Sequence, residues 1–110
     1  MTVQNCKTFW AKIYIAGPIE QIEQTCRKYV LDGLCVTVTP TNYIYSGGEQ
    51  TGAEIGLINY PRFPTSEKEI HKKAIELGNL IMRECHQVSF TVMSSYNTEY
   101  FSRHKELGLR

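Results

Sequence analysis

The sequence predicts an α+β fold of the ferredoxin-like βαββαβ kind, an antiparallel sheet with two helices on one face. Three observations predict it. Four segments alternate apolar and polar residues with period two. Two further segments carry apolar residues at helical spacing. Their order is strand, helix, strand, strand, helix, strand, which right-handed crossovers fold into one layer of sheet under one layer of helices.

The first strand is read at Phe9 to Ala16, with Phe9, Ala11, Ile13 and Ile15 on one face and Trp10, Lys12 and Tyr14 on the other. Gly17-Pro18 breaks it, and Pro18 suits the first position of a helix running to about Leu31. Ile19, Ile22, Cys26 and Val30 form the buried stripe of that helix. Glu20 and Glu23 near its start and Arg27-Lys28 near its end complement the helix dipole. Asp32-Gly33 stops it, with Gly33 as a left-handed cap.

The stretch from Leu34 to Pro64 reads as a hairpin. Val36 and Val38 alternate with Thr37 and Thr39, and Tyr43-Ile44-Tyr45 continues extended. Ser46-Gly47-Gly48-Glu49 turns the chain, and Ala53 to Tyr60 returns as the partner strand. Pro61 and Pro64 then bracket Arg62 in a stiff exit. Ser66 opens a second helix, with Glu69 at capping-box spacing. Ile70, Ala74, Leu77, Ile81 and Cys85 are its stripe, and Ile75, Leu80 and Met82 widen it. Gln87 to Met93 is the last main strand, with Val88, Phe90 and Val92 facing one way, and Phe90 and Val92 read as core-facing. A turn at Ser94 to Thr98 and a short strand at Glu99 to Arg103 follow. The open face of the sheet carries Lys12, Tyr14, Thr37, Thr39, Ser89 and Thr91, a set suited to a polar ligand or to a second sheet.

The 110 residues are read as a single domain, 1–110, with frayed termini at about 1–7 and 104–110. A net charge of +1 argues against extended nucleic acid as a partner, which demands a clearly basic face. No apolar run approaches a membrane span, and Met1 to Lys7 is polar, so the expected location is the cytosol. The four cysteines lack C-x-x-C spacing, and Cys26, Cys35 and Cys85 are read as buried free thiols. No metal cluster and no cofactor motif stand out.

No catalytic residue is assigned. His71 falls beside Lys72 and Lys73 on what reads as a solvated helix face, and no histidine adjoins a turn that presents a nucleophile. The glycine turn is followed by neither G-K-[ST] nor a helix, so it is not a phosphate loop. The remaining ingredients are those of recognition. They are aromatics (Tyr43, Tyr45, Tyr60, Phe63, Tyr96, Tyr100), the arginines Arg62 and Arg103, and the amide-rich turn at Gly47 and Gly48. Arginine binds phosphate in bidentate fashion, turn amides donate to anions and aromatic faces stack on bases. Together they suit a small nucleotide-like ligand.

The block CVTVTPTNYIYSGGEQTGAEIGLINYPRFP, followed by a capped helix and a final strand before an arginine-containing tail, resembles small phage-encoded anti-Thoeris sponge proteins. That resemblance implies a non-enzymatic homo-oligomer, a phage counter-defence protein sequestering cyclic ADP-ribose-type signals in the host bacterial cytosol. It implies Arg62 and Arg103 as ligand-contacting arginines, and Asn97 with Phe90 or Tyr96 as base-contacting groups. Two alternatives stand beside it. One is a cyclic-nucleotide phosphodiesterase of the same fold, with Glu49 or a histidine as the acid-base group. The other is a protein-interaction module that dimerises through its open sheet face and holds no small ligand.

Overall fold

The computed structural model describes residues 1–103. The elements are β1 (Trp10–Ala16), α1 (Ile19–Tyr29), a single 3-10 turn at Val30–Asp32, β2 (Thr37–Tyr45), β3 (Gly48–Ile58), α2 (Glu67–Glu84), β4 (Ser89–Ser94) and β5 (Thr98–Ser102). They form one antiparallel sheet in the order β2-β3-β1-β4-β5. This is the predicted ferredoxin-like sandwich with an added edge strand. No helix among the described residues is long and apolar enough to cross a membrane.

Register explains the core. Ile13 lies opposite Ile55 on one side and Val92 on the other, and Ala11 opposite Leu57. All five are buried, under Ile22 and Cys26 of α1 and Ile70, Ala74, Leu77 and Ile81 of α2. Of the residues that widen the α2 stripe, Met82 is buried at 7%, while Ile75 and Leu80 are half-buried. Ser66 caps α2 as its spacing predicts, its Oγ accepting from the Glu69 amide at 3.1 Å.

Several local expectations need correction. The turn of the hairpin is shorter than the four residues read for it. Only Ser46 and Gly47 lie between the strands, with Gly47 at φ 87°, and Gly48 already pairs with Tyr45. The partner strand therefore starts at Gly48 and ends at Ile58. The first helix ends at Tyr29, where the chain tightens into the 3-10 turn before Gly33. Val88 precedes β4 and is exposed, at the end of the sheet where its carbonyl accepts from the Arg103 amide at 2.9 Å. Cys35 precedes β2 and is exposed, whereas Cys26 and Cys85 are buried. His71 is not solvated. It is half-buried, with Nε2 at 2.6 Å from Glu99 Oε1, which ties α2 to β5.

Candidate functional site

Antiparallel pairing brings the start of β1 and the ends of β3 and β4 to one end of the sheet, since Trp10 faces Ile58 and Ala11 faces Ser94. Asn59 organises the chain there and is itself buried at 7%. Its amide nitrogen Nδ2 donates to the Lys7 carbonyl at 2.8 Å, and its Oδ1 accepts from the Thr65 amide at 2.8 Å. Its backbone N–H donates to Phe9 at 3.0 Å, and its carbonyl accepts from Cys6 Sγ at 3.4 Å. One buried amide thus fastens both the segment leading into β1 and the proline loop leading into α2.

The consequence is a cleft of about 460 Å³ on the open sheet face, between that leading segment and the strands. Trp10 and Lys12 of β1, Gly56 and Ile58 of β3 and Pro61 are among its walls. Its volume lies in the range of small-molecule sites, and its lining is mainly apolar, as such sites are. Gly56 has a steric role. A Cβ there would come within 2.5 Å of Thr37 Oγ1, so the missing side chain lets that hydroxyl lean over the strand into the cleft. Lys12 Nζ reaches Glu54 Oε1 at 4.0 Å, diagonally across β1 and β3. Lys7 and Lys12 are the charged residues lining the cleft; Glu54 lies outside its lining and meets it only through Lys12.

The proline loop forms the adjoining edge. Phe63 N–H donates to the Tyr60 carbonyl at 3.1 Å, and the two rings tilt together at 5.2 Å. Tyr60-Pro61-Arg62-Phe63 is therefore a tight turn with proline at its second position. Arg62 is exposed at its third position and has no ion pair among the described residues. Hydrogen bonding with Cys35, then burial, raises the Tyr60 phenol above its ordinary range. Beyond this loop, Ser95 Oγ donates to Glu67 Oε2 at 3.2 Å and the Tyr96 ring lies 5.8 Å from His71, seating the β4–β5 turn on the first turns of α2.

The eight residues singled out from the sequence do not converge. Arg62, Tyr96 and Asn97 share the end of the sheet that holds the cleft. Asn97 spends its Oδ1 on the Thr98 amide at 2.9 Å and its carbonyl on Ser94. Arg103 follows β5 at the opposite end, roughly 20 Å from Asn97 by strand rise. Gly47 and Gly48 sit at the hairpin tip, roughly 30 Å along β3 from Arg62. Tyr43 lies on the open face of that hairpin, its hydroxyl donating to the Ala53 carbonyl at 2.6 Å. Burial raises its phenol to about 12, so it serves as a donor. Phe90 is enclosed at 2% exposure, stacked on Phe101 at 4.9 Å, and is a packing residue. The sequence put Trp10 and Lys12 on one face. What it did not reveal is the fold-back of residues 4–9, held by the backbone and side chain of Asn59.

The chain matches no protein-family model and no curated protein sequence. Its fold is that of solved phage enzymes. A phage SAM lyase in its apo state superposes with a TM-score of 0.63 at 14% identity, covering 87% of this chain and 90% of that one. A phage SAM lyase in complex with S-methyl-5'-thioadenosine gives a TM-score of 0.60 at 16% identity, covering 93% of this chain and 95% of that one. The likeness therefore spans most of both chains.

Proposed function

We propose that this protein binds S-adenosylmethionine (SAM) in the cleft of its open sheet face and splits it, releasing S-methyl-5'-thioadenosine. The observation that carries this reading is the chain-length likeness to SAM lyases, one of them holding that thioether. The cleft agrees with it. Trp10 offers an aromatic face for adenine or for a sulfonium cation. The chemistry also explains why no nucleophile constellation is needed. SAM already carries a sulfonium, whose sulfur leaves as a neutral thioether with the electron pair of the broken carbon–sulfur bond. The ligand's own carboxylate oxygen bonds to the carbon so released, closing a five-membered lactone. No proton, oxidant or protein nucleophile enters. The protein's task is to fold the ligand so that oxygen and carbon meet and to keep water away.

A second reading rests on Arg62, an exposed cation on a stiff turn at the edge of the cleft. In that reading the ligand carries phosphate, as cyclic ADP-ribose does, and the protein sequesters it intact. One experiment separates the two. The protein is incubated with SAM or with cyclic ADP-ribose, denatured, and the supernatant is resolved by chromatography. Time-dependent appearance of S-methyl-5'-thioadenosine supports cleavage. SAM recovered unchanged beside protein-bound, intact cyclic ADP-ribose sinks the lyase reading and favours sequestration.

A further inference from the structure

Lys12 and Glu54 form a loose pair on the open sheet face, 4.0 Å between Nζ and Oε1, beyond hydrogen-bond length. As a surface ion pair it contributes little to stability. Its position is more informative than its strength. Lys12 is two residues from Trp10 on the same face of β1 and lies opposite Gly56, where no side chain fills the space. Thr37 Oγ1 leans over that same glycine. An aromatic face, a hydroxyl, an ammonium and a carboxylate thus follow one another across the strands. Resting on the ligand class proposed above, we propose that Lys12 and Glu54 read the amino-acid end of the ligand. Lys12 takes its α-carboxylate and Glu54 its α-ammonium, with Trp10 beside the sulfur and adenine.

The charge pattern is complementary in both signs. A zwitterion has a carboxylate and an ammonium a few ångströms apart, and so does this pair, reversed. Because the pair makes no direct hydrogen bond, a zwitterion laid alongside it, charge against opposite charge, gains two charge-assisted bonds without breaking one. The arrangement also discriminates. S-Methyl-5'-thioadenosine has no amino-acid end, so it gains nothing from Lys12 or Glu54 and leaves readily after cleavage. A phosphate finds Lys12 but is repelled by Glu54.

The test uses the chain's one tryptophan, Trp10, as its reporter. Fluorescence titrations compare SAM, S-adenosylhomocysteine and S-methyl-5'-thioadenosine on the wild type, Lys12→Met and Glu54→Gln. The wild type is expected to bind the two amino-acid ligands at least tenfold more tightly than the thioether. Each variant is expected to lose about tenfold for those two and to stay within about twofold for the thioether. Equal affinity of S-adenosylhomocysteine and the thioether for wild type, or variants that weaken all three ligands alike, overturns the role of the pair and leaves the ligand class standing. Failure of all three ligands to perturb Trp10 or to raise the melting temperature overturns the ligand class and the pair together.

Discussion

Asn59 binds Thr65 through its side-chain carbonyl at 2.8 Å while the amide of the same side chain holds Lys7 at 2.8 Å. Two segments distant in sequence thereby share one buried side chain beside the cleft. Asn59→Ala is expected to strip two backbone groups of their partner and to cost about 1–3 kcal/mol, the penalty for buried groups left unsatisfied. Urea denaturation measures that loss. The emission of Trp10 should also shift to the red as the leading segment lifts and water enters. An unchanged spectrum with unchanged stability would show that other contacts hold the segment.

Gly78, in the middle of α2, exists for Phe90. A Cβ at Gly78 would sit 2.6 Å from Phe90 Cδ2 and closer still to Cε2. The ring cannot retreat, because Phe101 is stacked on its other side at 4.9 Å. Alanine would improve helix propensity by about 1 kcal/mol. Overpacking of a closed core costs about 1–3 kcal/mol and should win. Gly78→Ala is therefore expected to lower the melting temperature, and the same change in a Phe90→Leu background to cost much less. Equal costs in the two backgrounds would mean that the clash is relieved elsewhere.

Burial pushes the Cys26 thiol from 9.0 up to about 11, with Cys85 beside it adding in the same direction. Burial favours the protonated thiol, so the folded chain keeps its proton to higher pH than the unfolded one. The sign follows: this contribution is fully present below pH 9.0 and is lost as pH rises through about 11. Stability should fall by on the order of 1–2 kcal/mol across that interval. Tyr43, raised from 10.0 to about 12, extends the decline upward. Cys26→Ala should flatten the lower part of the slope, whatever it does to stability at neutral pH. Urea midpoints measured at several alkaline pH values decide it, and an identical slope in the variant would remove Cys26 from the account.

The architecture was legible because it rests on local patterns. The alternation of Ile13 and Ile15, of Ile55 and Leu57, and of Phe90 and Val92 forces one face inward, and Ser66 with Glu69 fixes the start of α2. The site was less legible because it depends on register and on long-range contacts gathered at Asn59. Nothing near Asn59 in sequence points to Lys7, 52 residues away. Glu54 meets Lys12 only because β3 lies between β2 and β1. Conversely, Gly47 and Gly48 are conspicuous in sequence yet sit at the tip of a long hairpin, far along β3 from Arg62. His71 looked solvated beside two lysines because Glu99, its partner, is 28 residues away.

Arg62 decides between the two ligand classes. The tight turn from Tyr60 to Phe63 holds its backbone, so little entropy is lost when its guanidinium engages a ligand. It is exposed and unpaired among the described residues, so Arg62→Ala should change the stability of the free protein by less than about 0.5 kcal/mol. S-Methyl-5'-thioadenosine carries no anionic group, and its affinity should be almost unmoved by the substitution. A phosphate-bearing ligand held by Arg62 should instead lose about 1.5–3 kcal/mol, the range for a hydrogen bond to a charged group. Calorimetry with the thioether and with cyclic ADP-ribose, on wild type and variant, reads both. Under the SAM reading the thioether binds both proteins alike and cyclic ADP-ribose binds neither. Tight binding of cyclic ADP-ribose that collapses in the variant would move the function to sequestration and place Arg62 at its phosphate.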